Sequence, residues 1–321
     1  MFDFEKLDDG PAKNISTEVT ADMVKISLKS DPSKFCIMPQ KFVDQDLERI
    51  KNMEIFEDDI WIVTYPKCGT TWTQEMIWMI HNNLDYETSS KVQLADRFPF
   101  LEWSGIIKNF TIDTFEDCKT RPRPRYIKSH LPLFLLPDQL WTVKPKIIYV
   151  ARNPKDTVVS WFHHHTHLHC YNGTKEDLIE AFLTDLMLYS PMNDHVLDFW
   201  KIRDQPNILF LFFEDMKRNL DQEVKRAVKF LDKDFSQEEI DKLCKHLSFE
   251  SVKDNKMINK NEEIRMLKES IGVKFDPNAF SFVRKGQVGG YKKELTQKEN
   301  EMLDEYSKCP TFEEFGFEYR F

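Results

Sequence analysis

Four short runs along the chain are rich in β-branched or aromatic residues: DIWIVTY (59–65), RYIKS (125–129), KIIYVA (146–151) and NILFLFF (207–213). Polar breaks flank each of them, the pattern of β-strands. Three are apolar on both faces, as parallel strands buried between helix layers are. Apolar residues at helical spacing occupy 70–83, 154–165, 175–188, 223–232 and 236–247. The last of these opens with Ser236 and carries Glu239 three residues on, a capping box. Strands alternating with helices predict a single α/β domain over residues 46–321, with a central parallel sheet flanked by helices. Residues 1–45 are expected to form an irregular N-terminal arm that packs on that domain. In such sheets the ligand crevice lies at the carboxyl ends of the strands.

Composition narrows the picture. The 321 residues are 41% hydrophobic and 13% aromatic, enough to fill a substantial core. A formal net charge of −9 argues against general affinity for nucleic acid or anionic membrane, so an anionic ligand must be held locally. The six cysteines are scattered without a CxxC pair, and suggest neither a zinc site nor a disulfide framework. The N-terminus shows no signal-peptide pattern and no window reaches a membrane span, so the expected location is the cytoplasm. The glycosylation patterns NIS, NFT and NGT are then chance matches.

The strand ends carry the chemistry. After the first strand comes PKCGTTW (66–72), where Gly69 permits close backbone approach and Thr70 and Thr71 add hydroxyls. The first amides of the following helix have no intrahelical partner and, with the helix dipole, make an anion site. Lys67 precedes the only glycine, unlike the GxxxxGK[ST] loop, which disfavours a nucleoside triphosphatase. The second strand ends in Lys128-Ser129-His130, placing a lysine and a potential general base on one face. The third runs into Arg152, with Ser160 two helical turns on, and a distant RKGQVGG stretch supplies Arg284, Lys285 and Gly286 as a second anion clamp.

Together these stretches resemble the cytosolic sulfotransferases, whose usual signatures are TYPKSGTTW, KSHLP, YVARNxKDxxVSxxHH and RKGxxGDWKxxFT. The resemblance runs in order from about residue 45 to the C-terminus and includes PFLEW (99–103) and FEDM (213–216). It implies a P-loop-like strand-loop-helix site for 3′-phosphoadenosine 5′-phosphosulfate (PAPS; product PAP), and sulfuryl transfer to a hydroxyl or amine of a small molecule. It further implies that residues 67–72 hold the 5′-phosphosulfate and that Arg152, Ser160, Arg284, Lys285 and Gly286 hold the 3′-phosphate. Trp72 and Phe249 would flank the adenine. His130 would take the acceptor proton while Lys67 and Lys128 stabilise developing charge, a role that leaves no need for a metal. Phe100, Trp103, Phe162 and His164 would line an aromatic pocket for a phenol, catechol or lipophilic alcohol.

The chain departs from the family pattern at several points. Cys68 stands for a serine, Phe213 for a frequent tyrosine and Leu247 for a frequent threonine near the adenine, so side-chain hydrogen bonds are lost there. Gly289-Gly290-Tyr291 replaces Gly-Asp-Trp. The family's dimer segment keeps its polar ends at Lys292, Thr296, Gln297 and Glu301 but not its valine, so a homodimer would have to use an altered interface. The run HHHTHLH (163–169) has i, i+4 pairs, but no carboxylate or cysteine pair completes a metal site. Two rival readings remain open: a dehydratase working through a transient sulfate ester, and a non-catalytic nucleotide- or hormone-binding protein.

Overall fold

The computed structural model describes all residues except 18, 21, 271, 273–281 and 285. The N-terminal arm is not irregular. It contains β1 (Phe2–Lys6), β2 (Met23–Leu28) and β3 (Asp31–Pro39), an antiparallel meander in the order β1-β2-β3. Its side chains Ile26, Ile37 and Met38 are fully buried in the cluster that also holds Trp61, Val63 and Ile127 of the main sheet. The β3 backbone continues the pairing beyond the meander: Tyr189 N–H donates to the Ile37 carbonyl at 2.9 Å, and Ile37 N–H to that of Ser190 at 3.3 Å. The arm thus buttresses the segment that carries Tyr189.

The central sheet is all parallel, in the order β5-β4-β6-β7, with β4 at Ile60–Thr64, β5 at Tyr126–Ser129, β6 at Lys146–Ala151 and β7 at Ile208–Phe212. Side chains alternate across it. Trp61, Val63, Ile147 and Tyr149 enter one hydrophobic cluster, and Ile60, Ile62, Ile148 and Val150 enter the other. Helices cover both faces, so β4 and β7 are buried throughout and β5 and β6 at every position but the first. Each such side chain contributes about 1.5–3 kcal/mol through burial.

The chain leaves β4 toward β5 on one side and returns to β6 on the other. Strand order therefore reverses between β4 and β6, where the loops that follow the two strands diverge and open a crevice. After β4 the helix Thr70–His81 begins at Gly69, whose φ of 100° suits glycine alone. A Cβ at Gly69 would also meet the Phe213 ring at 2.7 Å. After β6 the helix Pro154–Leu168 is capped by Asn153, whose side chain accepts the Asp156 N–H at 2.8 Å. The helices expected over 175–188, 223–232 and 236–247 are present at Lys175–Leu183, Leu220–Phe230 and Gln237–His246, with the Ser236–Glu239 capping box formed. No helix among the described residues is long and apolar enough to cross a membrane.

Candidate active site

One cavity of about 690 Å³ opens at the carboxyl ends of these strands. Of the residues singled out in the sequence, its wall takes Lys67, Gly69, Thr70, Thr71 and Trp72 from the loop after β4 and the helix it starts. Arg152, Ser160 and His164 come from β6 and its helix, and Phe213, Leu247, Phe249, Arg284 and Gly286 from later segments. Phe100, Trp103, Lys128 and His130 close the other end. Cys68 and Phe162 are not on the wall, and Lys285 lies outside the described residues.

The exceptions have simple causes. Cys68 turns inward: its Sγ lies 3.7 Å from the Pro66 carbonyl and 3.8 Å from Thr157 Oγ1. Burial pushes its thiol up to about 12, so it stays protonated and inert. Phe162 fails by helical phase. Asp156, Ser160, His164 and Leu168 follow one another at i, i+4 and all face the cavity, whereas Phe162 is offset from that stripe by two residues and packs against the main core.

At the acceptor end, His130 is 7% exposed and held from several sides. Its Nδ1 lies 2.8 Å from the Thr64 carbonyl and 3.1 Å from Thr64 Oγ1. A carbonyl can only accept, so Nδ1 carries the proton and Nε2 keeps its lone pair. Its backbone N–H donates to Glu102 Oε1 at 2.6 Å, and His195 Nε2–H donates to its carbonyl at 2.9 Å. The rings of Phe100 and Tyr189 pack on it at 5.1 and 5.6 Å. Burial first, and Lys128 second, hold its pKa well below 6.5, so it is a neutral base at pH 7. The Lys128 Nζ lies 3.7 Å from the Phe100 ring centroid.

At the anion end, Lys67 adopts a positive φ of 69° and points its Nζ at His164 Nδ1, 3.1 Å away, and over the Phe282 ring at 4.4 Å. His164, expected only in the acceptor wall, therefore also positions a cation. Burial, then the neighbouring Arg152, Lys260 and Arg284, bring the Lys67 pKa down to about 7. Arg152 donates to the Lys67 carbonyl at 3.0 Å and to that of Gln287 at 3.3 Å, and its guanidinium stacks 4.3 Å above Phe213. Its Nε is buried without a partner among the described residues. Arg284 pairs with Glu294 at 2.7 Å, and the same carboxylate takes His163 on its other oxygen. Between these groups, Trp72 is locked by its indole N–H donating to the Leu247 carbonyl at 2.8 Å, so Leu247 serves through its backbone. The Phe249 ring sits against Gly286, where a Cβ would come within 2.5 Å of it.

Several residues that hold this site were not picked out in the sequence. Asp156 accepts the backbone N–H of Gly289 at 2.8 Å and of Tyr291 at 3.1 Å, tying the stretch after Gly286 to the helix after β6. Glu214 accepts both the backbone and side-chain N–H of Asn153 at 3.0 and 2.7 Å. Glu102 supports His130. All three are buried carboxylates that satisfy backbone donors, and no spacing rule announces them. Replacing Asp156 by alanine leaves two backbone donors without partners, at about 1–3 kcal/mol each. The expected result is PAP affinity about tenfold weaker in calorimetry with kcat at saturation nearly unchanged. The histidine run does not gather ligands: no group of three His, Cys, Asp or Glu among the described residues sits where it could hold a metal.

Residues 57–316 match the sulfotransferase domain model. The chain is 36% identical over 277 residues to luciferin sulfotransferase of Photinus pyralis, covering 81% of this chain and 74% of that protein. It is 37% identical over 259 residues to sulfotransferase 1C2 of Homo sapiens, covering 80% and 84%. Among solved structures, retinol dehydratase in complex with retinol and PAP superposes with a TM-score of 0.86 at 26% identity, over 99% of each chain. Mouse sulfotransferase SULT7A1 complexed with PAP gives 0.65 at 28% identity, over 84% and 90%. The domain match over residues 57–316 and the identities of 36–37% over about four fifths of the chain show that the chain belongs to the sulfotransferase family.

Proposed function

We propose that the protein transfers the sulfuryl group of PAPS to a hydroxyl of a small hydrophobic or aromatic acceptor, with His130 as general base. The observation that carries this reading is the convergence, in one cavity, of the His130 imidazole and the crowded cations Lys67, Arg152 and Arg284. Cations crowded into one cavity fit a ligand with negative charge at two places, and the orphaned Arg152 Nε fits a phosphate oxygen. Lys67, the amides of residues 68–72 and the Thr70 and Thr71 hydroxyls would take the 5′ end. Arg152, Ser160, Arg284, Gly286 and, outside the described residues, Lys285 would take the 3′-phosphate, with the adenine between Trp72 and Phe249.

When bound, PAPS supplies a sulfuryl group whose bond to the phosphate oxygen breaks as the acceptor oxygen bonds to sulfur. His130 Nε2 receives the acceptor's proton, and the Thr64 carbonyl keeps the ring in the tautomer that can do so. Lys67 and Lys128 meet the negative charge that grows on the transferring and leaving oxygens, in a setting that needs no reorganisation. Phe100 and Trp103 supply apolar walls that fit a phenol or lipophilic alcohol. An acceptor screen with labelled PAPS, spanning phenols, catechols, sterols and alkyl alcohols, tests the reading. Labelled organic sulfate is the expected product, and no transfer to any class would refute it.

Proton linkage gives a second check. Lys67 in the free protein titrates near 7, and an anion beside it raises that value. Above pH 7 the free protein thus holds fewer protons than the complex, so PAP affinity falls as pH rises, by up to about tenfold per unit. Calorimetry in buffers of different ionisation enthalpy should show proton uptake on PAP binding at pH 8. A dissociation constant that is flat from pH 6.5 to 8.5 would contradict the assignment of Lys67.

One observation favours a second reading. The superposition on retinol dehydratase spans 99% of both chains and so includes the N-terminal meander. On that reading the same residues form a sulfate ester of an allylic alcohol, which then loses sulfate and a proton to give an alkene. Mass spectrometry of the product from retinol separates the two outcomes.

A further inference from the structure

His169 follows the helix Pro154–Leu168 as its C-terminal cap and lies on the cavity wall, 1% exposed. Neither of its ring nitrogens has a hydrogen-bond partner among the described residues. Its neighbours have engagements of their own: His164 Nδ1 accepts from Lys67, and His165 Nε2–H donates to the Ile15 carbonyl at 2.7 Å. The contacts to His169 are ring packing, at 5.1 Å from His164 and 4.9 Å from His165. His165 also has one nitrogen without a partner, but it is not on the cavity wall. Tyr189 also lines the chamber, but its ring packs on His130 and its hydroxyl interacts with the Glu102 carboxyl, so it is not free in the same way.

A buried polar group left without a partner is destabilising, and native structures retain few of them. Aromatic walls alone would serve a monofunctional phenol, and a leucine or phenylalanine in place of His169 would do so at less cost. Burial keeps the imidazole neutral at pH 7, so one nitrogen donates and the other accepts. That pair complements a hydroxyl or a carbonyl equally well.

We propose that the acceptor carries a second hydrogen-bonding group, a hydroxyl or carbonyl remote from the oxygen that is sulfated, and that His169 binds it. The inference rests on the sulfuryl-transfer reading of the cavity and names the acceptor class within it: diols and hydroxyketones on a hydrophobic frame. His169 is then a specificity-determining residue, positioned by the histidine-rich helix end.

The test uses the full chain saturated with PAP and matched acceptor pairs of three lengths: ethylphenol against tyrosol, naphthol against dihydroxynaphthalene, and a deoxy-oestratrienol against oestradiol. Calorimetric Kd values are measured for wild type, His169→Phe and the conservative His169→Gln. The wild type should bind the bifunctional member of at least one pair about tenfold more tightly. His169→Phe should remove that preference while leaving the monofunctional partner within about twofold, and His169→Gln should restore most of it. Equal binding within every pair, or equal losses for both members in His169→Phe, would overturn the proposal. Because PAP binding is titrated first, a protein that fails to bind PAP refutes the cofactor reading instead, and the two failures are not confused.

Discussion

The His130→Ala protein is expected to bind PAP as tightly as the wild type and to transfer sulfuryl about 10²–10⁴ times more slowly, the range set by losing a positioned general base. The separation of binding from turnover follows from the geometry. His130 is on the wall formed after β5, whereas Lys67 lies in the loop after β4 and the cations that depress its pKa are Arg152, which follows β6, and Lys260 and Arg284 from later segments. The pH profile should agree. Because burial and Lys128 hold His130 well below 6.5, the acidic fall in wild-type kcat should lie below that value, where the imidazole begins to take up a proton. Steady-state assays across pH 4.5–8, with PAP binding followed in parallel, decide the point. Equal turnover in His130→Ala and wild type would remove His130 from the mechanism.

Replacing Lys67 by methionine keeps the length of the stem and removes the charge. It is expected to slow transfer about 10²–10³-fold, the usual loss when one preorganised donor to a developing charge is deleted. PAP affinity should fall as well, and its dependence on pH above 7 should disappear with the titrating amine. Lys67→Arg should not restore the rate. The ammonium fits between His164 Nδ1 at 3.1 Å and the Phe282 ring, and a planar fork has a different reach. Rapid-quench single turnovers separate the chemical step from binding. A Lys67→Met protein with wild-type single-turnover rate would show that this amine does not touch the reacting atoms.

What could be read from the sequence depended on how local the cause was. Three of the four central strands are continuous apolar runs and all four are closed by polar residues, so their positions and parallel pairing follow from a local pattern, and the anion loop follows from one glycine at a strand-to-helix junction. The N-terminal meander was not legible. Its β2–β3 connection, Lys29-Ser30, lacks the Asn-Gly or Asp-Gly signal of a tight hairpin, and β3 contains Pro32 and ends at Pro39. Part of its pairing is with Tyr189 and Ser190, far along the chain. Phe162 was misplaced although helical phase alone puts it off the Asp156–Ser160–His164–Leu168 stripe. The supporting carboxylates Glu102, Asp156 and Glu214 act on backbone N–H groups that only the folded chain brings to them.

The substitutions at Cys68, Phe213 and Leu247 prove compatible with the site for physical reasons. Cys68 faces the core, Leu247 contributes a carbonyl to Trp72, and Phe213 offers its face to Arg152 and meets the Trp72 ring in a T-shaped contact. Losing three side-chain hydroxyls relative to the family pattern therefore leaves the cradle's shape intact.

A single turnover with PAPS labelled in sulfur, following label and acceptor mass together in wild type and His130→Ala, tests whether His130 and the cation-lined crevice act on one nucleotide to move its sulfuryl group. Wild type is expected to deliver label to an organic sulfate or, on elimination, to free sulfate only when acceptor is present, with one PAP formed per event, and His130→Ala to bind the nucleotide but scarcely react. Label released as sulfate at the same rate with and without acceptor, or transferred equally fast by both proteins, would contradict it.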